Sequence, residues 1–142
     1  MMVFIERFIQ LLKEEDDIYR LADYLNLKNP RYIYQWRSGI RYPKLNNLIK
    51  IANFFECSLD YLLGRSDDFY EINLTPTVRF VDQLEYVMKE TGITQKQLVD
   101  NKILSRTNLY DWRHDNNSPN IETLVKIANY LNVSVDHLVG RE

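Results

Sequence analysis

Shifting the chain by 76 residues lays WRSGIRYPKLNNLIKIANFFECSLDYLLGR (36–65) on WRHDNNSPNIETLVKIANYLNVSVDHLVGR (112–141), with thirteen of the thirty positions identical. Most of the differences exchange one apolar residue for another, as at Leu45/Ile121, Ile49/Val125 and Phe54/Tyr130. The same offset pairs Ile5 with Val81, Phe8 with Leu84, Leu11 with Val87 and Leu12 with Met88. A pattern that occurs twice in 142 residues requires each copy to close its own small core, so two very small domains are expected rather than one ordinary one. The boundaries implied are 1–66 for copy one, 67–75 for a linker and 76–142 for copy two. The linker is acidic through Asp67, Asp68 and Glu71, but Phe69, Tyr70 and Ile72 predict that it is partly docked.

Apolar spacing and punctuation predict five short helices in each copy, hence an all-α chain. In copy two the first helix covers about 78–91 and stops at Gly92. Thr94-Gln95-Lys96-Gln97 has the form of a capping box, in which Thr94 caps the amide of Gln97 and Gln97 reaches back. Ser105 is expected to cap a third helix over about 106–114. Pro119-Asn120 opens a fourth, and Ser134 caps a fifth that stops at Gly140. In copy one Asp17 is expected to cap helix two. Asn29-Pro30 gives helix three a cap and a first-turn proline, and Gly39 ends it. Ser58 caps helix five, which ends at Gly64.

Glycine and proline number only four each, too few for a protein built on many tight turns. No apolar run reaches the roughly 20 residues that span a bilayer, and the opening MMVFIERFIQLLKEEDD is an amphipathic helix rather than a secretion signal. A single cysteine, Cys57, forms no internal disulfide, fits a reducing cytoplasm and is expected to be buried. A cytoplasmic protein without membrane contact follows. His114 and His137 stand alone without ligand-spaced partners, so no metal is expected. No nucleotide loop, nucleophile motif or His/Cys cluster suggests an enzyme, a cofactor or a small-molecule ligand. The acid runs Glu14-Glu15-Asp16-Asp17 and Asp67-Asp68 read as solvated charge.

The formal net charge of −2 conceals an uneven distribution. Residues 1–66 hold ten Lys/Arg against eight Asp/Glu, and 76–142 hold eight against nine. Between residues 24 and 55 there is no acid, while Lys28, Arg31, Arg37, Arg41, Lys44 and Lys50 are present. A polyanion responds to that local field rather than to the total.

Two short helices joined by a tight turn inside a five-helix bundle form the geometry that offers one helix to a DNA groove. Copy two resembles the lambda-repressor-like family of the Cro/XRE type. The resemblance rests on Thr94-Gln95, Leu98, Ser105, Leu109, Trp112-Arg113, Pro119 and the stretch from Ile121 to Ala128. Copy one resembles the same family through Leu21-Ala22-Asp23-Tyr24-Leu25, Ile33, Trp36-Arg37-Ser38-Gly39 and Pro43 onward.

The resemblance implies two tandem five-helix lambda-repressor-like helix-turn-helix domains, each laying helix three in the major groove of double-stranded DNA. The first, second and sixth positions of that helix reach base edges in the family. They are Pro30, Arg31 and Gln35 in copy one, and Arg106, Thr107 and Asp111 in copy two. Chemistry favours Arg31 and Arg106 for guanine O6 and N7 and Gln35 for adenine N6 and N7. It disfavours Asp111, which accepts only from cytosine N4 and repels phosphate. The candidate base readers are therefore Arg31, Tyr32, Gln35, Arg106, Thr107 and Asn108. Candidate phosphate contacts are Lys28, Tyr34, Arg37, Arg41, Tyr42, Lys44, Tyr110 and Arg113, together with Gln95, which opens helix two where the family grips a phosphate. Ile18 stands where copy one would carry that glutamine. Trp36 and Trp112 read as core. The acid-free stretch gives copy one the stronger field, so it is expected to hold DNA more tightly than copy two.

The expectation is a sequence-specific transcriptional regulator, a repressor, with two linked reading heads. The two heads form a pseudo-dimer within one chain, or the chain forms a homodimer with four heads. A nine-residue linker spans at most roughly 30 Å. The competing reading is a repressor-like protein-interaction module, an antirepressor or adaptor with weak or no DNA binding. It rests on the acidic balance, Asp111 and Ile18.

Overall fold

The computed structural model describes residues 2–142, and among these it contains ten helices and no strand. It divides into two compact units, Met1–Thr75 and Pro76–Glu142. The first holds α1 (Met2–Leu11), α2 (Glu15–Tyr24), α3 (Arg31–Ser38), α4 (Leu45–Phe54) and α5 (Leu59–Leu62). The second holds α6 (Phe80–Thr91), α7 (Gln95–Asp100), α8 (Asn108–His114), α9 (Ile121–Leu131) and α10 (Val135–Val139). Five helices per copy, all α, is the architecture expected from the repeat.

In the first unit α1 packs on α3 and α5, and α4 packs on α2 and α5. Phe4 and Phe8 stack at 5.4 Å, and Phe8 reaches the rings of Trp36 and Phe55, each at 6.5 Å. Ile18, Leu21, Ile33, Leu48, Ile51, Cys57, Leu59 and Leu62 complete a buried core. Each such side chain contributes about 1.5–3 kcal/mol through burial. The second unit repeats the plan, with α6 packed on α8 and α10 and Phe80 set edge-on to Trp112 at 5.7 Å. Both tryptophans are core residues, as the sequence implied.

Most of the expected punctuation is present. Thr94 and Gln97 close a capping box, while Ser58, Asn120 and Ser134 each accept from the amide three residues on. Asn29 Oδ1 accepts from the Arg31 amide at 3.0 Å, but α3 starts at Arg31 with Pro30 at its N-cap, so the proline stands one place before the first turn expected of it and the helix has no side-chain cap. Two further starts differ from expectation. Helix α2 begins after Glu14, not after Asp17. Asp17 sits inside the first turn, where its carboxylate accepts from the Glu14 amide at 3.0 Å. Three acids in that turn complement the positive helix end and extend the helix backward. Ser105, expected as a side-chain cap, is itself capped: its amide donates to Asn108 Oδ1 at 2.7 Å. That local closure competes with helix, and α8 starts only at Asn108.

Residues 67–75 carry no regular structure. They touch the first unit through an Arg7–Asp67 ion pair at 2.9 Å, an edge contact of Phe69 with Tyr61 at 5.2 Å, and a bond from Asn53 to Thr75 at 3.3 Å. Among the described residues no helix is long and apolar enough to cross a membrane.

Candidate nucleic-acid interface

In the first unit Ile33 and Trp36 anchor α3 in the core, which turns the opposite side of the helix outward. Arg31 and Tyr32 are exposed at its start, and Lys28, Arg41, Tyr42 and Lys44 are exposed in the segments on either side. Six of the sequence candidates are thus exposed on α3 or in the segments that flank it in the chain. Gln35 is half-buried, and its Oε1 is shielded from solvent without a hydrogen-bond partner. An unpaired carbonyl of this kind costs about 1–3 kcal/mol, a cost that an incoming N–H donor removes. Along the same helix runs an open groove of about 890 Å³ lined by Ile9, Pro30, Arg31, Gln35, Arg37 and Ile40.

Tyr34 is already engaged. Its hydroxyl donates to the Glu15 carboxylate at 2.5 Å, and that bond pushes the phenol up to about 12, with smaller contributions from desolvation and the Glu15 charge. As placed, the O–H expected to meet a phosphate is engaged with a carboxylate on α2. The ring instead lies beneath the Arg37 guanidinium, 4.9 Å from its centroid. Ile18 is not at the opening of helix two; it is a buried interior residue of α2. The opening is acidic, through Glu14, Glu15 and Asp16, where the second unit has Gln95.

In the second unit Gln95 is the exposed first residue of α7. Arg106 and Thr107 are exposed but precede α8 instead of forming its first turn. Asn108 is half-buried with its side-chain oxygen used on Ser105, which leaves only its amide donors for a base edge. Tyr110 is exposed and lies against the His114 ring at 3.9 Å.

Arg113, a predicted phosphate contact, is clamped by two acids of α6, Glu85 and Asp82, the latter at 3.5 Å. Glu85 first, and Asp82 less, hold its guanidinium still further above its usual range. As placed, its guanidinium N–H groups are engaged with these acids, while the side chain stays 39% exposed. Sequence reasoning missed Glu15, Asp82 and Glu85 as partners. The signal available was the repeat itself, which sets Ile9 against Glu85. Among the described residues no cluster of His, Cys, Asp and Glu is arranged to hold a metal.

Residues 83–142 match the Cro/C1-type HTH DNA-binding domain, and residues 16–62 match a helix-turn-helix family. The chain is similar to the HTH-type transcriptional regulator ImmR of Bacillus subtilis (strain 168), with 32% identity over 60 residues. That match covers 42% of this chain and 47% of ImmR. It is also similar to the immunity repressor protein of Bacillus phage phi105, with 35% identity over 60 residues, covering 42% of each. The match thus spans less than half the length of either relative. No solved structure matches the chain. With one helix-turn-helix unit matched at each of two separate positions, the chain carries two Cro/C1-type helix-turn-helix domains in tandem.

Proposed function

We propose that this protein is a sequence-specific double-stranded DNA-binding regulator, acting as a repressor through α3 and the segment from Arg106 through α8. The observation that carries the reading is the outward face of α3. It stands in a 32-residue stretch, 24–55, without a single acid, and exposes Arg31, Arg41 and Lys44 around it. Arg31 and Gln35 supply base-edge chemistry for guanine and adenine. Lys28, Arg41 and Lys44 supply phosphate neutralisation. In the second unit Arg106 and Thr107 are the readers, and Gln95 grips phosphate from the start of α7. The names of the two relatives, a transcriptional regulator and an immunity repressor, support the direction of control.

The two heads differ, so the operator is asymmetric. Reading heads that dock on successive major grooves lie about 34 Å apart, a geometry reached by a pseudo-dimer or by a homodimer. Two observations favour the protein-interaction alternative: the acids at the start of α2 and the ion pairs on Arg113 both withhold groups that DNA would use. Selection from random duplex DNA followed by a salt titration separates the two. About six phosphate contacts give a slope of log K against log salt near −5. Absence of retention at low salt refutes the DNA reading.

A further inference from the structure

The two units treat one arginine in opposite ways. Arg37 and Arg113 occupy the same place in the repeat, directly after the core tryptophan at the end of the reading helix. In the second unit Arg113 is bonded to Glu85 and Asp82 of α6. In the first unit the residue matching Glu85 is Ile9, 48% exposed on α1. Glu6, which matches Asp82, makes no ion pair among the described residues, and neither does Arg37. Arg37 instead rests on the face of Tyr34, whose ring is fixed by the bond to Glu15. A carboxylate clamp occupies the guanidinium fork that would otherwise take a phosphate, whereas stacking on an aromatic face leaves its N–H edges open.

We propose that this helix-one position, Ile9 in α1 and Glu85 in α6, selects which unit's arginine grips a DNA phosphate: open at Arg37, closed at Arg113. The proposal rests on the DNA-binding reading above. Ile9 and Glu85 are positioning residues here, acting through the arginine rather than by touching DNA. The exchange also predicts that the closed unit can be opened and the open one closed by single substitutions.

The test measures binding of the full chain to a random-sequence duplex of about 30 base pairs, whose affinity comes from phosphate contacts. The duplex is titrated with salt. The proteins are the parent, Ile9→Glu, Ile9→Gln, Arg37→Ala, the double Ile9→Glu/Arg37→Ala, Glu85→Gln, Arg113→Ala and the double Glu85→Gln/Arg113→Ala, with near-ultraviolet dichroism checking that each is folded. Ile9→Glu is expected to reduce the magnitude of the salt slope by about 0.9, which makes the affinity loss between 50 and 200 mM salt about 3.5-fold smaller. Ile9→Gln leaves the slope in place, and Ile9→Glu adds nothing once Arg37 is alanine. Glu85→Gln is expected to raise the slope by a similar amount, and only while Arg113 is present. Equal effects of Ile9→Glu with and without Arg37 would mean general repulsion and overturn the proposal while leaving DNA binding intact. A parent chain with no salt-dependent retention overturns the DNA reading and this assignment together.

Discussion

Replacing Arg141 with alanine removes the cation packed at the end of α10. Arg141 is completely buried, and its carboxylate partner Asp136 is 2% exposed. The backbone closes the same loop, the Arg141 amide donating to the Asp136 carbonyl at 2.8 Å. With the guanidinium gone, that buried carboxylate loses the charge that compensates its desolvation. Breaking such a pair from one side costs about 3–5 kcal/mol. A unit spanning Pro76–Glu142 is expected to hold on the order of 3–10 kcal/mol in total, so the variant approaches the point of unfolding. The first unit supplies an internal control. Asp60 and Arg65 form the matching pair but are 13% and 21% exposed, so water screens them and Arg65→Ala is expected to cost about 1–2 kcal/mol.

Each unit contains one tryptophan, Trp36 or Trp112. Urea unfolding followed by fluorescence in Trp36→Phe and Trp112→Phe backgrounds therefore reports on the units separately. The expected result is a large loss confined to the second unit, mostly recovered when Asp136→Leu accompanies Arg141→Met. Equal losses from Arg65→Ala and Arg141→Ala, or a loss below about 1 kcal/mol from the latter, would refute the claim that burial sets the worth of the pair.

Three further outcomes are expected. Gly64→Ala should destabilise by clearly more than Gly92→Ala in urea unfolding. Both residues have left-handed φ, costing about 1–2 kcal/mol for alanine, but a Cβ at Gly64 meets Val3 Cβ at 2.8 Å, whereas one at Gly92 meets nothing within 4 Å. Spectroscopic titration of the phenols should show one tyrosine ionising near pH 12, lost in Tyr34→Phe and moved down in Glu15→Gln. Because the folded value is raised, the stability from this bond is complete below the unfolded value of about 10 and fades as pH climbs toward 12; urea midpoints across that window check the sign. Asn120→Ala removes the cap of α9, where Asn120 Oδ1 accepts from the Thr123 amide at 2.8 Å, and should cost about 1 kcal/mol of the second unit's stability.

The features that could be read from sequence were those decided locally. A capping box needs residues three apart, so Thr94 with Gln97 was visible, as were the caps at Ser58, Asn120 and Ser134 and the glycine stops. The cores were visible through periodicity and through their repetition at a fixed offset. The misplaced starts of α2 and α8 also have local causes, but each involved a choice between near-equal partners. Asp17 and Glu14 both suit the opening of α2, and the Asn108 side chain takes the Ser105 amide, which leaves Thr107 to open α8 without a side-chain cap. The electrostatic state of the candidate site was not readable in this way. Arg113 lies 28 residues from Glu85 and Tyr34 lies 19 from Glu15, so only packing of α6 on α8 and of α2 beside α3 reveals those bonds.

The copies differ least where packing leaves no choice. The tryptophan of helix three, the Asp and Arg that close helix five, and the glycine between them stand at the same offset in both units, because an exchange there costs about 1–5 kcal/mol in a domain holding few. At the exposed ends of helices one, two and three an exchange costs little. There, Ile9 faces Glu85 across the repeat, and an acidic opening of α2 faces Gln95. On the proposed reading each unit withholds one DNA contact that the other offers: the first lacks the glutamine and leaves its arginine open, and the second has the glutamine and pairs its arginine with acids. Two identical half-sites would give a head of either kind no advantage over the other. Unlike half-sites would, and the base readers proposed for the two heads, Arg31 and Gln35 against Arg106 and Thr107, differ as well; sequences selected by the intact chain should therefore keep their polarity when Ile9→Glu and Glu85→Gln are combined, while the phosphate contact moves from the first head to the second.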